Sequence, residues 1–267
     1  MIIIPRRRIS GFDADALAWI AAIETADGLA LEDGVKSAYN DFVVGCKADA
    51  SLNAGVSNWD AMQQILILRG PRTLTGALYT PKGPVVTNIG FVTGDYSRKV
   101  DLKGSGTKYI NLNRGPQSDP QNNTGAWLFI NRAATTNNTK YFGSQTAAAG
   151  VQTYIGDFSG VLAGRINSAT GYGGPAGSGP PTGFVGAVRN SSTAITVRYN
   201  STNFGHGSIS GVPTSNNYFL FARNVEGAAN GHTDAGIAAY GSGGAVDLAL
   251  MQTRVTTLLA AIAAAIL

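Results

Sequence analysis

Five consecutive residues, Gly104-Ser105-Gly106-Thr107-Lys108, have the composition of a loop that cradles a phosphate. Such loops work because backbone amides at a helix N-terminus face the anion and a lysine neutralises it. They need Gly, four residues, then Gly-Lys-Ser/Thr, set between a strand and a helix. Here the order differs, and Tyr-Ile-Asn-Leu-Asn follows, which alternates like a strand. The same context rules out a dinucleotide fingerprint. A glycine-containing hairpin turn is expected instead, with Lys103 and Lys108 as solvent-facing flanks.

Glycoside hydrolysis typically needs two carboxyl groups flanking the scissile bond, roughly 5–9.5 Å apart. The chain has only three glutamates, Glu24, Glu32 and Glu226, and none between 33 and 225. Asp95, Asp101, Asp119, Asp157 and Asp234 remain, each near a Gly or Asn turn, where Asp is ordinary. The two histidines, His206 and His232, also sit in turn-like surroundings, and neither has the neighbours of a zinc site or a nucleophile elbow. No Asp-rich calcium loop is present. The expectation is no catalytic residue, no metal and no cofactor.

Aromatic side chains near loops are the remaining candidates, because a ring can stack on a sugar. Trp127, Tyr154, Tyr172, Tyr199 and Phe204 qualify by position. Trp127 lies in the apolar run AWLFIN and reads as core. The glycan-binding candidates are Tyr172, Tyr199 and Phe204, with Tyr172, in the glycine-rich stretch GYGGPAGSGPPTG, expected to be the most exposed.

The elements that must position these residues follow from composition and period. Charged residues make up only 13% of 267, and there are 35 glycines, which suits many short strands joined by polar turns. The net charge of +4 is scattered, so no nucleic-acid partner is expected. One cysteine, Cys46, excludes an intrachain disulfide, and it falls on the apolar stripe Leu31, Val35, Ala38, Phe42, Cys46.

Three short helices are predicted within 13–70: one capped by Asp13 or Asp15, one through the Cys46 stripe, and one over SNWDAMQQILILRG. Three such helices make a thin core, so they are expected to dock on the following domain, on symmetry copies or on a larger assembly. After Pro71, runs such as VVTNIGFV, AWLFIN, VQTYIGD, TAITVRYN and NYFLFARN recur between turn residues, which indicates an antiparallel sandwich or barrel. The last apolar element, near 247–266, is capped by Asp247 and reads as a buried helix rather than a membrane anchor.

Residues 1–12 read as an extended arm, with Ile2, Ile3 and Ile4 favouring a strand and Arg6, Arg7 and Arg8 able to meet an acidic partner. The organisation expected is an arm over 1–12, a helical docking segment over 13–70, and a sandwich with its C-terminal helix over 71–267.

The stretch GDYSRKVDLKGSGTKYINLNR and the closing pattern YFLFARNVEG…AGIAAYGSGGAVDLALMQTRVTTLLAAI resemble concanavalin A-like, laminin-G-like sandwiches. The segment SAYNDFVVGCKADASLNAGVSNWDAMQQILILRGPRTLTGALYTPKG is similar to the lead-in of bacteriophage virion proteins that carry this sandwich. The resemblance implies a mainly β, antiparallel concanavalin A-like jelly-roll sandwich, preceded by a short helical segment and closed by a C-terminal helix. It also implies a virion protein, either a capsid decoration or a tail fibre, assembled in the host bacterial cytoplasm. Expected partners are other virion proteins, host-surface glycans and copies of the chain, a trimer being favoured. Ile2, Ile3, Ile4, Arg6, Arg7 and Arg8 would be the virion anchor. The alternatives are a stand-alone carbohydrate-binding module or a glycan-cleaving enzyme.

Overall fold

The computed structural model describes residues 11–146, 150–174 and 180–266. Its helices are α1 (Ala14–Asp27), α2 (Asp33–Ala48), α3 (Asn58–Ala61), α4 (Leu74–Ala77) and α5 (Leu248–Ala265). The strands begin with β1 (Met62–Ile67), β2 (Thr87–Ile89), β3 (Tyr96–Ser97), β4 (Asp101–Lys103), β5 (Tyr109–Asn111) and β6 (Thr124–Arg132). They continue with β7 (Lys140–Gln145), β8 (Gln152–Phe158), β9 (Val161–Ser168), β10 (Tyr172–Gly173), β11 (Gly183–Arg189) and β12 (Ala194–Tyr199). The last are β13 (Thr202–Gly207), β14 (Phe219–Leu220), β15 (Arg223–Val225), β16 (Ala228–Asn230) and β17 (Gly236–Gly243).

Two sheets face each other. The first runs β13-β12-β11-β6-β17-β4-β3, with β1 also paired to β17. The second runs β10-β9-β8-β7-β14-β5-β2, with β15 and β16 added beside β7. Pairing is antiparallel apart from the short β15–β7 ladder. The chain is therefore a mainly β antiparallel sandwich with helices before it and a helix closing it, the fold class its sequence implies.

The central strands of the first sheet are buried on both faces. Ala126, Leu128 and Ile130 of β6 point into the core between the sheets, while Trp127 points the other way into a core built with the helices. That second core gathers Trp19 and Ile23 of α1, Tyr39, Phe42 and Cys46 of α2, and Met251, Val255 and Ile262 of α5. The layers are thus helices, first sheet, second sheet. Trp19 meets Tyr39 edge-on at 4.5 Å between ring centres. Asp13 caps α1 by accepting from the Asp15 amide, and Gly28 ends it in the left-handed conformation at φ 66°. Cys46 is fully buried, and burial pushes its thiol well above the usual range.

The expected third helix is the main correction. Only Asn58–Ala61 is helical, and Met62–Ile67 forms β1. Ile65 and Ile67 face the helices while Leu66 and Leu68 face the second sheet, the period of two that defines a strand. An apolar run buried on both faces shows no alternation of polarity, so it reads equally as a helix. One consequence is that 13–70 contributes a strand to the sandwich itself.

Other contacts tie the same layers together. The Arg98 guanidinium donates to both Glu32 oxygens at 2.9 and 2.7 Å, and Arg254 of α5 donates to Asp49 beyond α2. The Asp247 amide donates to Asn58 Oδ1 at 2.9 Å. The helices of 13–70 find their partner in α5 and the first sheet, so they no longer supply a reason for symmetry copies. By length and composition α5 could cross a membrane, but its stripe Leu248, Met251, Val255, Leu258 and Ile262 is buried in this layer.

The Gly104–Lys108 stretch is a turn but not a hairpin. β4 pairs with β17 in the first sheet, whereas β5 pairs with β14 and β2 in the second, so the turn carries the chain between sheets. Gly104 is required there because a Cβ would collide with the Thr233 carbonyl oxygen. Lys108 is not a free flank: its ammonium holds both Asp95 oxygens at 2.7 and 2.8 Å.

Candidate functional site

β8, β9 and β10 form one end of the second sheet, and their solvent-facing side carries an open cleft of about 530 Å³. The strand period builds it. Ile155 of β8 and Leu162 and Ile166 of β9 enter the core, so Tyr154 and Arg165 face outward as direct cross-strand neighbours. Phe158 ends β8 and is 68% exposed, which makes it the most accessible aromatic on this face. Val161 and Ala163 complete its apolar side.

The turn that presents Phe158 is fixed from below. The buried Asp157 carboxylate accepts from the amides of Asn138 and Thr139 at 2.8 and 3.1 Å, from the Thr139 hydroxyl at 2.8 Å and from the Gly160 amide at 3.2 Å. Ser159 and Gly160 both take positive φ, 52° and 76°, the pairing of a two-residue hairpin turn. Asp157 is thus a structural carboxylate.

Three cations surround Tyr154. The Lys140 ammonium lies 5.3 Å from the ring centre and the Arg223 guanidinium 5.6 Å from it. Lys140 also donates to the Asp157 carbonyl at 3.2 Å. Arg223 donates to Gln152 Oε1 at 3.3 Å and Asn230 Oδ1 at 3.1 Å. Burial lowers the pKa of Lys140, and the charge of Arg223 lowers it further. Burial likewise lowers that of Arg223, the Tyr154 ring opposes the shift, and Arg165 adds to it. The three charges repel one another.

Tyr172, expected to be the exposed ring of the glycine-rich stretch, is only 3% exposed. Its ring occupies the space over Gly164, where a Cβ would collide with it, and lies 5.8 Å from the His206 ring. Tyr172 borders the cleft, but its ring points into the core between the sheets, the face opposite Tyr154 and Arg165, and its hydroxyl is buried without a partner among the described residues. Tyr199 and Phe204 sit on β12 and β13 of the first sheet, partly buried against the inter-sheet core. Tyr172, Tyr199 and Phe204 thus all pack toward the core between the sheets, away from the outer face that carries Tyr154 and Phe158. Ile2, Ile3, Ile4, Arg6, Arg7 and Arg8 lie outside the described residues.

The other aspartates are held by donors. Asp101 pairs with Arg132, Asp119 with Arg114, and Asp234 accepts from the Thr135 amide and hydroxyl. Among the described residues no cluster of three or more His, Cys, Asp or Glu is placed to hold a metal ion. Phe158 and Arg165 were not among the sequence candidates. The signal for Phe158 was the alternation Tyr154-Gly156-Phe158 running into Ser-Gly, whereas the cations converge from three separate strands and leave no local mark.

No family model matches this chain, and no curated protein matches it. Among solved structures, the binding domain of botulinum neurotoxin serotype D is similar with a TM-score of 0.48 and 12% identity, over 74% of this chain and 50% of that one. Domain 4 of AbnA, an extracellular arabinanase from Geobacillus stearothermophilus, solved with arabinotriose, gives 0.40 and 15%, over 72% and 97%. NanB sialidase from Streptococcus pneumoniae gives 0.45 and 18%, over 57% of this chain and 27% of the sialidase. This chain thus spans about a quarter of the sialidase's length.

Proposed function

We propose that this chain is a non-catalytic glycan-binding sandwich whose site is the outer cleft of β8, β9 and β10. The observation that carries the reading is Phe158, an aromatic ring exposed at the rim of an open cleft beside Arg165 and Tyr154. Sugar recognition needs an apolar face for the ring's C–H surface and convergent polar groups for its hydroxyls. A glycan array probed with the full chain tests it: hits that disappear in Phe158→Ala support the site, and an array without hits contradicts it.

The site is presented, in this reading, on a bacteriophage particle, with the region N-terminal to the helical layer as the attachment. Its support is the resemblance of the lead-in and sandwich sequences to virion proteins. Mass spectrometry of purified particles tests the location. Absence of the chain from particles leaves the stand-alone binding module, which is compatible with the way α1, α2 and α5 form one core with the sheet.

A further inference from the structure

We infer that the outer face around Tyr154 selects acidic saccharides, binding the carboxylate of a uronic- or sialic-type sugar beside Arg165, with the Lys140–Arg223 pair at the Tyr154 ring adding positive charge, while the sugar ring lies against Phe158. The inference rests on the glycan-binding reading and names its ligand class.

Charge is the first support. Lys140, Arg165 and Arg223 converge around one tyrosine, and none of them lies within ion-pair distance of a described carboxylate. Other basic side chains are matched to acids, Arg114 to Asp119, Arg98 to Glu32 and Lys108 to Asp95, whereas buried Arg189 is instead satisfied by carbonyl and hydroxyl oxygens. The nearest acid, Asp157, has its carboxylate committed to backbone amides and the Thr139 hydroxyl, and offers Lys140 only its carbonyl.

Unfilled hydrogen-bonding capacity is the second. The Nε atoms of both Arg165 and Arg223 are buried and have no acceptor among the described residues. A guanidinium presents its donors in a fixed fork that matches the two oxygens of a carboxylate, and such charge-assisted bonds are the strong ones. Lys140, about nine-tenths buried, is held in place by the Tyr154 ring and by carbonyl oxygens; the Asp157 charge favours its ammonium but makes no ion pair with it. An incoming carboxylate relieves the mutual repulsion of three fixed cations, whereas a neutral sugar leaves it in place. Apolar Phe158, Val161 and Ala163 on the opposite side favour a ligand with a hydrophobic face, which a free inorganic anion lacks.

Isothermal titration of the full chain with tri-galacturonate, its carboxyl-reduced neutral counterpart, 3′-sialyllactose, lactose and a heparin-derived disaccharide tests this. The expected result is at least tenfold tighter binding of a carboxylated sugar than of its neutral match, weakening as salt is raised. Arg165→Gln and Arg223→Gln should each bring the acidic ligand close to the neutral affinity, and Phe158→Ala should weaken both. Equal affinity for the acidic and neutral members overturns the charge selection while leaving a glycan site intact. Tighter binding of the sulfated disaccharide than of every carboxylated sugar overturns the carboxylate assignment. No binding of any sugar overturns the glycan reading itself.

Discussion

The ring of Tyr172 fills the space that Gly164 leaves by having no side chain, on the core-facing side of the sheet behind the cleft. Burial holds the Tyr172 phenol far above the usual tyrosine range, and its hydroxyl meets no partner among the described residues. Two outcomes follow. Tyr172→Phe should be neutral or stabilising by up to about 1 kcal/mol, because it removes an unsatisfied buried group. Tyr172→Ala should cost about 3–5 kcal/mol through the cavity it opens. Denaturant unfolding measures both, and a Tyr172→Phe variant losing more than 1 kcal/mol would show that the hydroxyl is satisfied.

Gly164→Ala should be the complementary lesion. A methyl there collides with the Tyr172 ring inside the core, so overpacking of about 1–3 kcal/mol is expected. Unchanged unfolding in Gly164→Ala would mean that the ring moves aside freely.

Acid should loosen the joint between the helical layer and the sandwich. The Arg98 fork holds the Glu32 carboxyl at a pKa of about 2, below its ordinary 4.5. A depressed carboxyl pKa stabilises the folded state above the unfolded value, and that contribution is lost as pH falls from about 4.5 through 2. Partial exposure screens the pair, so about 1 kcal/mol is expected. Unfolding measured from pH 6 to pH 2 should show a shallower decline in Glu32→Gln than in the parent. Parallel curves would place the acid sensitivity elsewhere, for instance at Asp13 and Asp15, which Lys47 shifts in the same direction.

A chain restricted to residues 71–267 should fail to fold as a soluble monomer. It lacks β1 from the first sheet and exposes the buried stripe of α5, against which α2 otherwise packs. Sharp, dispersed NMR signals from that fragment would show the helical layer to be an appendage.

How much of this was legible in the sequence depended on whether a residue's role is local. The caps at Asp13 and Asp247 and the placement of Cys46 follow from near neighbours and the helical period, and the structure has them so. β1 was not legible, since MQQILI is buried on both faces and carries no polarity period. Tyr172 was misplaced because glycines beside it suggest a loose surface loop, while the glycine that matters, Gly164, lies across the ladder in β9. Lys140, Arg165 and Arg223 were scattered charges in the chain and become one cluster only when β7, β9 and β15 assemble around Tyr154.

Chemical-shift mapping by NMR, titrating the labelled full chain with an oligosaccharide that it binds on an array, tests the central claim most directly. The account predicts that perturbed amides cluster at Tyr154, Phe158, Arg165 and Gly173, and that Phe158→Ala abolishes them. Perturbations centred on Tyr199 and Phe204 in the first sheet, or shifts that persist undiminished in Phe158→Ala, would contradict it.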